Sequence, residues 1–171
     1  MDKKIEGRVF IIGDDVNTDV IIPAKYLIHT EPEELAKYAF SPMGNGFMRK
    51  IKEFDIIAAG ENFGCGSSRE QAVTAIKGLK IKAVVARSFG RIFFRNAINS
   101  ALPIIECPEA VNGLKEGDKI CIDFLKNEIQ TPQGEFSFSP IPESVFRIIE
   151  AGGLIEYLKA TAKDRFNDGK T

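Results

Sequence analysis

The chain has 171 residues, 44% of them hydrophobic and 27% charged, which predicts one soluble globular domain, residues 1–171, with room for a proper core. Its formal net charge is −1, from 23 basic and 24 acidic residues, so no global attraction to nucleic acid or to an anionic membrane is expected. No apolar run approaches the roughly 20 residues of a membrane span, and the polar start, Met1 to Glu6, lacks the apolar core of a signal peptide. A cytoplasmic protein is the expectation.

Residues 5–12 are rich in β-branched side chains and read as a first strand. Residues 13–19 follow, a loop dense in turn formers with three acids and an amide. The spacing lacks the terminal glutamate of an EF-hand, which argues against calcium. A satisfied turn is one reading of this loop; the other is that Asp19 orients something at a site. Val20-Ile21-Ile22 is a short apolar run stopped by Pro23. Thr30, with Pro32 and Glu33 behind it, predicts a capped helix over 31–40. Residues 41–46 read as a loop and 47–52 as another helical turn. The segment 26–50 is expected to be mobile in isolation.

Residues 54–59 form an apolar run that leads into Gly60-Glu61-Asn62-Phe63-Gly64-Cys65-Gly66-Ser67-Ser68-Arg69-Glu70. A helix is predicted from Ser68 to about Leu79, with Ser67 and Glu70 in capping-box spacing. Residues 81–86 read as a buried strand, 88–99 as a helix by apolar spacing, and 102–106 as a short strand. The alternation over 54–106 predicts α/β structure with parallel pairing. From Gly117 the character changes. Residues 119–124 and 126–131 look like paired strands, Gln133-Gly134 a turn, and 135–139 an edge strand. Helices are predicted over 142–151 and 154–163, separated by Gly152-Gly153, with a frayed polar tail over 164–171.

The chemistry concentrates in residues 60–71. Glycines there permit positive φ and close backbone approach. A helix start offers free N–H groups to an anion, and Arg69 offers a planar fork that matches a carboxylate. The glycine spacing is neither a dinucleotide fingerprint nor a phosphate-binding loop. A serine-nucleophile triad would have to draw its base from His29, the only histidine. Ser67 can act as a base if N–H groups, a helix dipole or a cation stabilise its alkoxide. The plain alternative is that Ser67 and Ser68 only cap a helix. Cys65, Cys107 and Cys121 are too few and too scattered for a disulfide framework or a metal site, so no metal or cofactor is expected in this chain. Cys65 reads as a small space-filler.

Gly64-Cys65-Gly66-Ser67-Ser68-Arg69-Glu70, preceded by Gly60-x-Asn62-Phe63, resembles the signature of the 3-isopropylmalate dehydratase small-subunit family. It is similar to the corresponding domain of aconitase and homoaconitase. The runs from Asp14 to Pro23 and from Ser88 to Asn96 resemble that family's two other motifs, in the same order. The resemblance covers roughly residues 5–125. It implies a swivelling β/β/α domain, like the aconitase C-terminal domain, with a mixed, mainly parallel sheet. It also implies a large partner subunit, in a heterodimer or heterotetramer, that carries a [4Fe-4S] cluster. The activity implied is that of a hydro-lyase, the isomerisation of 2-isopropylmalate to 3-isopropylmalate in leucine biosynthesis by loss and re-addition of water, active only with the large subunit. The ligand implied is a small hydroxy di- or tricarboxylic acid.

On that resemblance, Ser67 is the base, Ser68 and Arg69 bind substrate carboxylate, and Asp19 pairs with a catalytic group of the large subunit. Substrate choice falls to Tyr26, Ile28 and His29. Homoaconitase-like relatives carry an arginine in that loop. Here Ile28 suits an isopropyl group, whereas a protonated His29 would suit an extra carboxylate. Homoaconitase and dimethylmalate dehydratase small subunits are therefore alternatives, and a stand-alone anion-binding module is the non-enzyme alternative.

Overall fold

The computed structural model describes residues 3–168. Its first strand, β1 (Lys4–Ile12), explains the architecture by its burial pattern. In the first half only Ile5 is buried while Lys4, Glu6 and Arg8 face solvent. That alternation suits an antiparallel ladder with one wet face. In the second half Val9, Phe10 and Ile12 are all buried, as in a strand covered on both faces. The first half pairs antiparallel with β5 (Lys119–Asp123), and the second half pairs parallel with β2 (Ile56–Ala59).

From that shared strand the sheet extends both ways. On one side β2 pairs with β3 (Ala83–Ala86), and β3 with β4 (Ile104–Glu106), all parallel. On the other side β5, β6 (Glu128–Thr131) and β7 (Gly134–Ser137) form an antiparallel meander. The order is β4-β3-β2-β1-β5-β6-β7. The sheet is mixed, as expected, but its pairings divide evenly between parallel and antiparallel instead of being mainly parallel. β7 lies at an edge, as its alternating sequence implied.

Two cores lie on opposite faces of the parallel strands. Ile57, Ala59, Val84 and Ala86 face a core shared with helices, whereas Ile56, Ala58, Ala83 and Val85 face one shared with Ile120, Ile122, Ile129 and Phe138 of the meander. The antiparallel half therefore curls back over the parallel half. The layers are helix, sheet, sheet, which is the β/β/α arrangement.

The helices in chain order are α1 (Thr18–Ile21), α2 (Pro32–Ala36), α3 (Asn45–Ile51), α4 (Glu70–Gly78), α5 (Arg91–Asn99), α6 (Pro108–Gly113), α7 (Glu143–Glu150) and α8 (Leu154–Asp168). Several differ from the sequence reading. The helix expected over 31–40 is only α2, and Thr30 does not cap it; its backbone cap is Glu31. Phe40 takes a left-handed conformation and donates its N–H to the Ile21 carbonyl, which ends the segment. Segment 26–50 is anchored through Leu35, Ala36, Ala39 and Phe40, all buried. The short helix α6 was not anticipated, and α1 is a single turn where a plain apolar run was read. The helix α8 continues to Asp168 instead of fraying from 164. Residues 169–171 of the expected polar tail, like Met1 and Asp2, lie outside the described residues. Among the described residues no helix is long and apolar enough to cross a membrane.

Candidate active site

Three loops leave the carboxyl ends of the adjacent parallel strands β1, β2 and β3. Adjacent parallel strands deliver such loops to one edge of the sheet, where open α/β folds place ligand sites. These loops hold the three motifs singled out in the sequence. The residues 60–69, between β2 and α4, lie in the middle and form an elbow.

The outer loops grip the elbow from both sides. From the β1 side, Asp15 N–H donates to the Glu61 carbonyl at 2.8 Å, and Asp14 Oδ1 accepts from Glu61 N–H at 2.7 Å. Gly64 N–H donates to the Val16 carbonyl at 2.8 Å, and Thr18 N–H to the Cys65 carbonyl at 2.9 Å. From the β3 side, Ser88 Oγ accepts from Asn62 N–H at 2.8 Å, and Gly90 N–H donates to the Phe63 carbonyl at 2.8 Å. The elbow is thereby drawn out as an extra strand with single bridges to Asn17 and Phe89. Gly64 has φ +77° and lies against the Phe93 ring, while Gly90 approaches the Gly64 carbonyl. Side chains at either position would push the loops apart.

This bracing overturns the capping reading of the serines. Ser67 and Ser68 do not cap α4: Arg69 occupies the cap position, and no side chain bonds there. The reason is Thr18, a buried residue whose Oγ1 donates to the Ser67 carbonyl at 2.9 Å. That bond pulls Ser67 toward the β1 loop and away from helical geometry. Both serines are exposed. Among the described residues neither hydroxyl is engaged with the protein, and both lie on the approach to the positive end of α4.

Arg69 is the anchored member. Its side chain is 11% exposed, its Nη1 donates to the Ile22 carbonyl at 2.9 Å, and Asp19 Oδ1 lies 2.6 Å from the same nitrogen. Asp19 belongs to α1, whose cap Asn17 accepts from Val20 N–H at 2.9 Å. Asp19, Ser67, Ser68 and Arg69 thus converge. Tyr26 and His29 do not join them directly. Both rings stack on Tyr38, at 4.0 Å and 5.5 Å between centroids. Ile28 between them is 83% exposed. This loop begins right after Ile22, so the chain that anchors Arg69 also carries Ile28.

Thr18, Ser88 and Asn17 went unassigned in the sequence reading. Their signal was weak: small polar residues among turn formers, which read as ordinary loop chemistry. A hollow of about 450 Å³ beside the elbow is lined by Asn62, Cys65, Gly66, Arg91, Ile92 and Arg95, which brings two further arginines next to the elbow.

The cysteines do not fit a metal centre. Cys65 is on the elbow, Cys107 is buried at the end of β4, and Cys121 is on β5. Burial pushes the Cys107 and Cys121 thiols up from their ordinary pKa, opposite to what a thiolate ligand needs. Among the described residues no group of three or more His, Cys, Asp or Glu is placed to hold a metal ion.

The aconitase C-terminal domain family matches residues 40–110, the stretch that holds the elbow and the β3 loop. The chain is 47% identical to the 3-isopropylmalate dehydratase small subunit of Methanosarcina acetivorans over 94% of this chain and 100% of that one. It is 50% identical to the 3-isopropylmalate dehydratase small subunit of Heliobacterium modesticaldum over 90% of this chain and 93% of that one. The crystal structure of 3-isopropylmalate dehydratase (leuD) from Methanocaldococcus jannaschii superposes with a TM-score of 0.88 at 46% identity, covering 96% of this chain and 99% of that one. With identities near one half across nearly the whole length of each relative, and an elbow whose braces run through all three motifs, the chain belongs to the 3-isopropylmalate dehydratase small-subunit family.

Proposed function

We propose that this chain is the small subunit of a 3-isopropylmalate dehydratase, a hydro-lyase that converts 2-isopropylmalate to 3-isopropylmalate in leucine biosynthesis and works only with a large subunit. The observation that carries the proposal is the elbow itself: two exposed serine hydroxyls beside a guanidinium whose position is already fixed. The reaction needs a proton removed from carbon next to a carboxylate, loss of the neighbouring hydroxyl, and water returned with the positions exchanged. Arg69 holds the carboxylate, and Ser68 adds a hydrogen bond to it. Ser67 Oγ takes the carbon-bound proton as its alkoxide and returns it in the hydration half. The amino end of α4 and the arginines beside the elbow favour that alkoxide over its value in water.

Ile28 supplies the apolar surface for the isopropyl group. Ile28 is a large apolar side chain left 83% exposed, whereas His29 is half-buried and stacked on Tyr38. This favours isopropylmalate over an acid with an extra carboxylate. Among the described residues the three cysteines do not fit an iron–sulfur cluster, so the [4Fe-4S] group implied by the resemblance is assigned to the large subunit. The complex is placed in the cytoplasm.

The test is anaerobic reconstitution with the large subunit and a panel of isopropylmalate, dimethylmalate, homoaconitate and citrate. Isopropylmalate is expected to have the highest kcat/KM. A complex that forms yet leaves isopropylmalate untouched would refute the assignment, and a preference for homoaconitate would move the specificity role from Ile28 to His29.

A further inference from the structure

We propose that Asp19 is a positioning residue for Arg69, and that it sets which edge of the guanidinium meets the substrate: the edge carrying Nε and Nη2. The proposal rests on the reading of the elbow as a carboxylate site and deepens it.

A guanidinium offers a carboxylate either of two forked edges, one shared by Nη1 and Nη2 and one shared by Nη2 and Nε. Here both protein oxygens beside the guanidinium fall on Nη1: Asp19 Oδ1 as an ion pair at 2.6 Å and the Ile22 carbonyl as a hydrogen-bond acceptor at 2.9 Å. A ligand using the first edge would have to displace one of them. The Ile22 carbonyl is main chain at the end of the α1 turn, which Ile22 N–H closes onto the Thr18 carbonyl at 2.9 Å, and it is the harder of the two to displace. The second edge is free of this competition.

Burial points to the same edge. Arg69 is only 11% exposed. Among the described residues no buried side-chain nitrogen or oxygen lacks a hydrogen-bond partner. The hydrogen bond and the ion pair of this side chain both use Nη1. Its small opening to solvent is therefore at Nε and Nη2. The same turn also fixes the base, because Thr18 Oγ1 donates to the Ser67 carbonyl. One helical turn thus sets the distance between the carboxylate clamp and the proton acceptor. Asp19 itself is 58% exposed, so removing it leaves the core intact.

Asp19→Ala, Asp19→Asn, Arg69→Lys and the double variant Asp19→Ala/Arg69→Lys are assayed in the reconstituted complex. Asp19→Ala is expected to raise KM for isopropylmalate about tenfold with kcat changed less than about twofold. Asp19→Asn keeps an oxygen acceptor and is expected to recover most of the loss. The double variant is expected to be no worse than Arg69→Lys alone, because both changes remove the same oriented fork. A fall in kcat at unchanged KM that adds fully to Arg69→Lys would overturn the proposal and favour a partner for Asp19 on the large subunit. A second measurement needs no turnover. In the free subunit, the Arg69 Nη proton resonances are expected to be resolved in the wild type and to collapse in Asp19→Ala through free rotation. Identical resonances in the two proteins would also overturn it. An inactive wild-type complex would strike the functional reading instead, and the resonances would still decide Asp19.

Discussion

Replacing Gly64 by alanine tests whether close packing at the elbow holds the site. Gly64 has φ +77°, and an added methyl would lie 2.5 Å from Phe93 Cβ and closer still to its ring. The left-handed backbone costs an alanine roughly 1–2 kcal/mol. Phe93 is 1% exposed and sits edge-on to Phe63 at 5.3 Å, so its ring cannot yield without shifting the core. Overpacking of this kind costs about 1–3 kcal/mol. The sum, about 2–5 kcal/mol, is a large share of the stability of a typical domain. Gly46 is the control. It lies within α3 with nothing inside 4 Å of an added methyl, so Gly46→Ala is expected to stabilise by about 0.5–1 kcal/mol through helix propensity. Urea unfolding of the isolated subunit measures both, read from the midpoint at constant slope. A Gly64→Ala protein within about 0.5 kcal/mol of wild type would refute the close-packing argument, since surface changes alone give that much.

Ser67→Ala is expected to lower turnover by at least about 10²-fold, the lower range for a positioned proton-transfer group, while the variant still co-elutes with the large subunit; near-normal activity would remove Ser67 from its role. Ile28→Arg is expected to shift kcat/KM toward substrates with an extra carboxylate, and an unchanged preference would mean that Ile28 does not select the substrate. Asp123 gives a pH prediction. Burial works to raise its pKa, but hydrogen bonds from the Lys126 and Leu125 amides and the Lys4 ammonium outweigh it, so its carboxyl is held below the ordinary value. A depressed folded pKa stabilises above the unfolded pKa, about 3.9, and that stability is lost as pH falls through the folded value. Asp123→Asn is therefore expected to be less stable than wild type at neutral pH, with the gap closing below about pH 4. A gap that persists unchanged at pH 3 would refute the linkage.

The fold was legible wherever burial alone decides structure. The switch in β1 from one buried face to two is visible as Lys4-Ile5-Glu6 against Val9-Phe10, and the helix–strand alternation over 54–106 predicted the parallel pairs. What misled were local signals overruled by distant residues. Ser67 and Glu70 have capping-box spacing, yet a hydrogen bond from Thr18, 49 positions earlier, takes the Ser67 carbonyl and shifts the start of α4 to Glu70. The helix expected to reach Phe40 stops early because Phe40 N–H meets Ile21. The opposite miss, α6, had a local signal in Pro108 at its first turn that went unread.

The site divides in the same way. Its residue types were legible, because the serine pair, the arginine and the glycines all stand in one stretch before a helix. The partner of Asp19 was not. The pair with Arg69 exists because β1 and β2 are adjacent and parallel, which delivers the loop after each strand to the same edge. A sequence shows that an acid and a guanidinium are present, but which one the acid meets is a property of strand order. The resemblance points Asp19 toward a group on another subunit, whereas the geometry of this chain pairs it with Arg69. The two roles differ in what they predict: an acid serving the large subunit's chemistry governs kcat, whereas an acid that orients the clamp governs KM and loses its effect once Arg69 is changed.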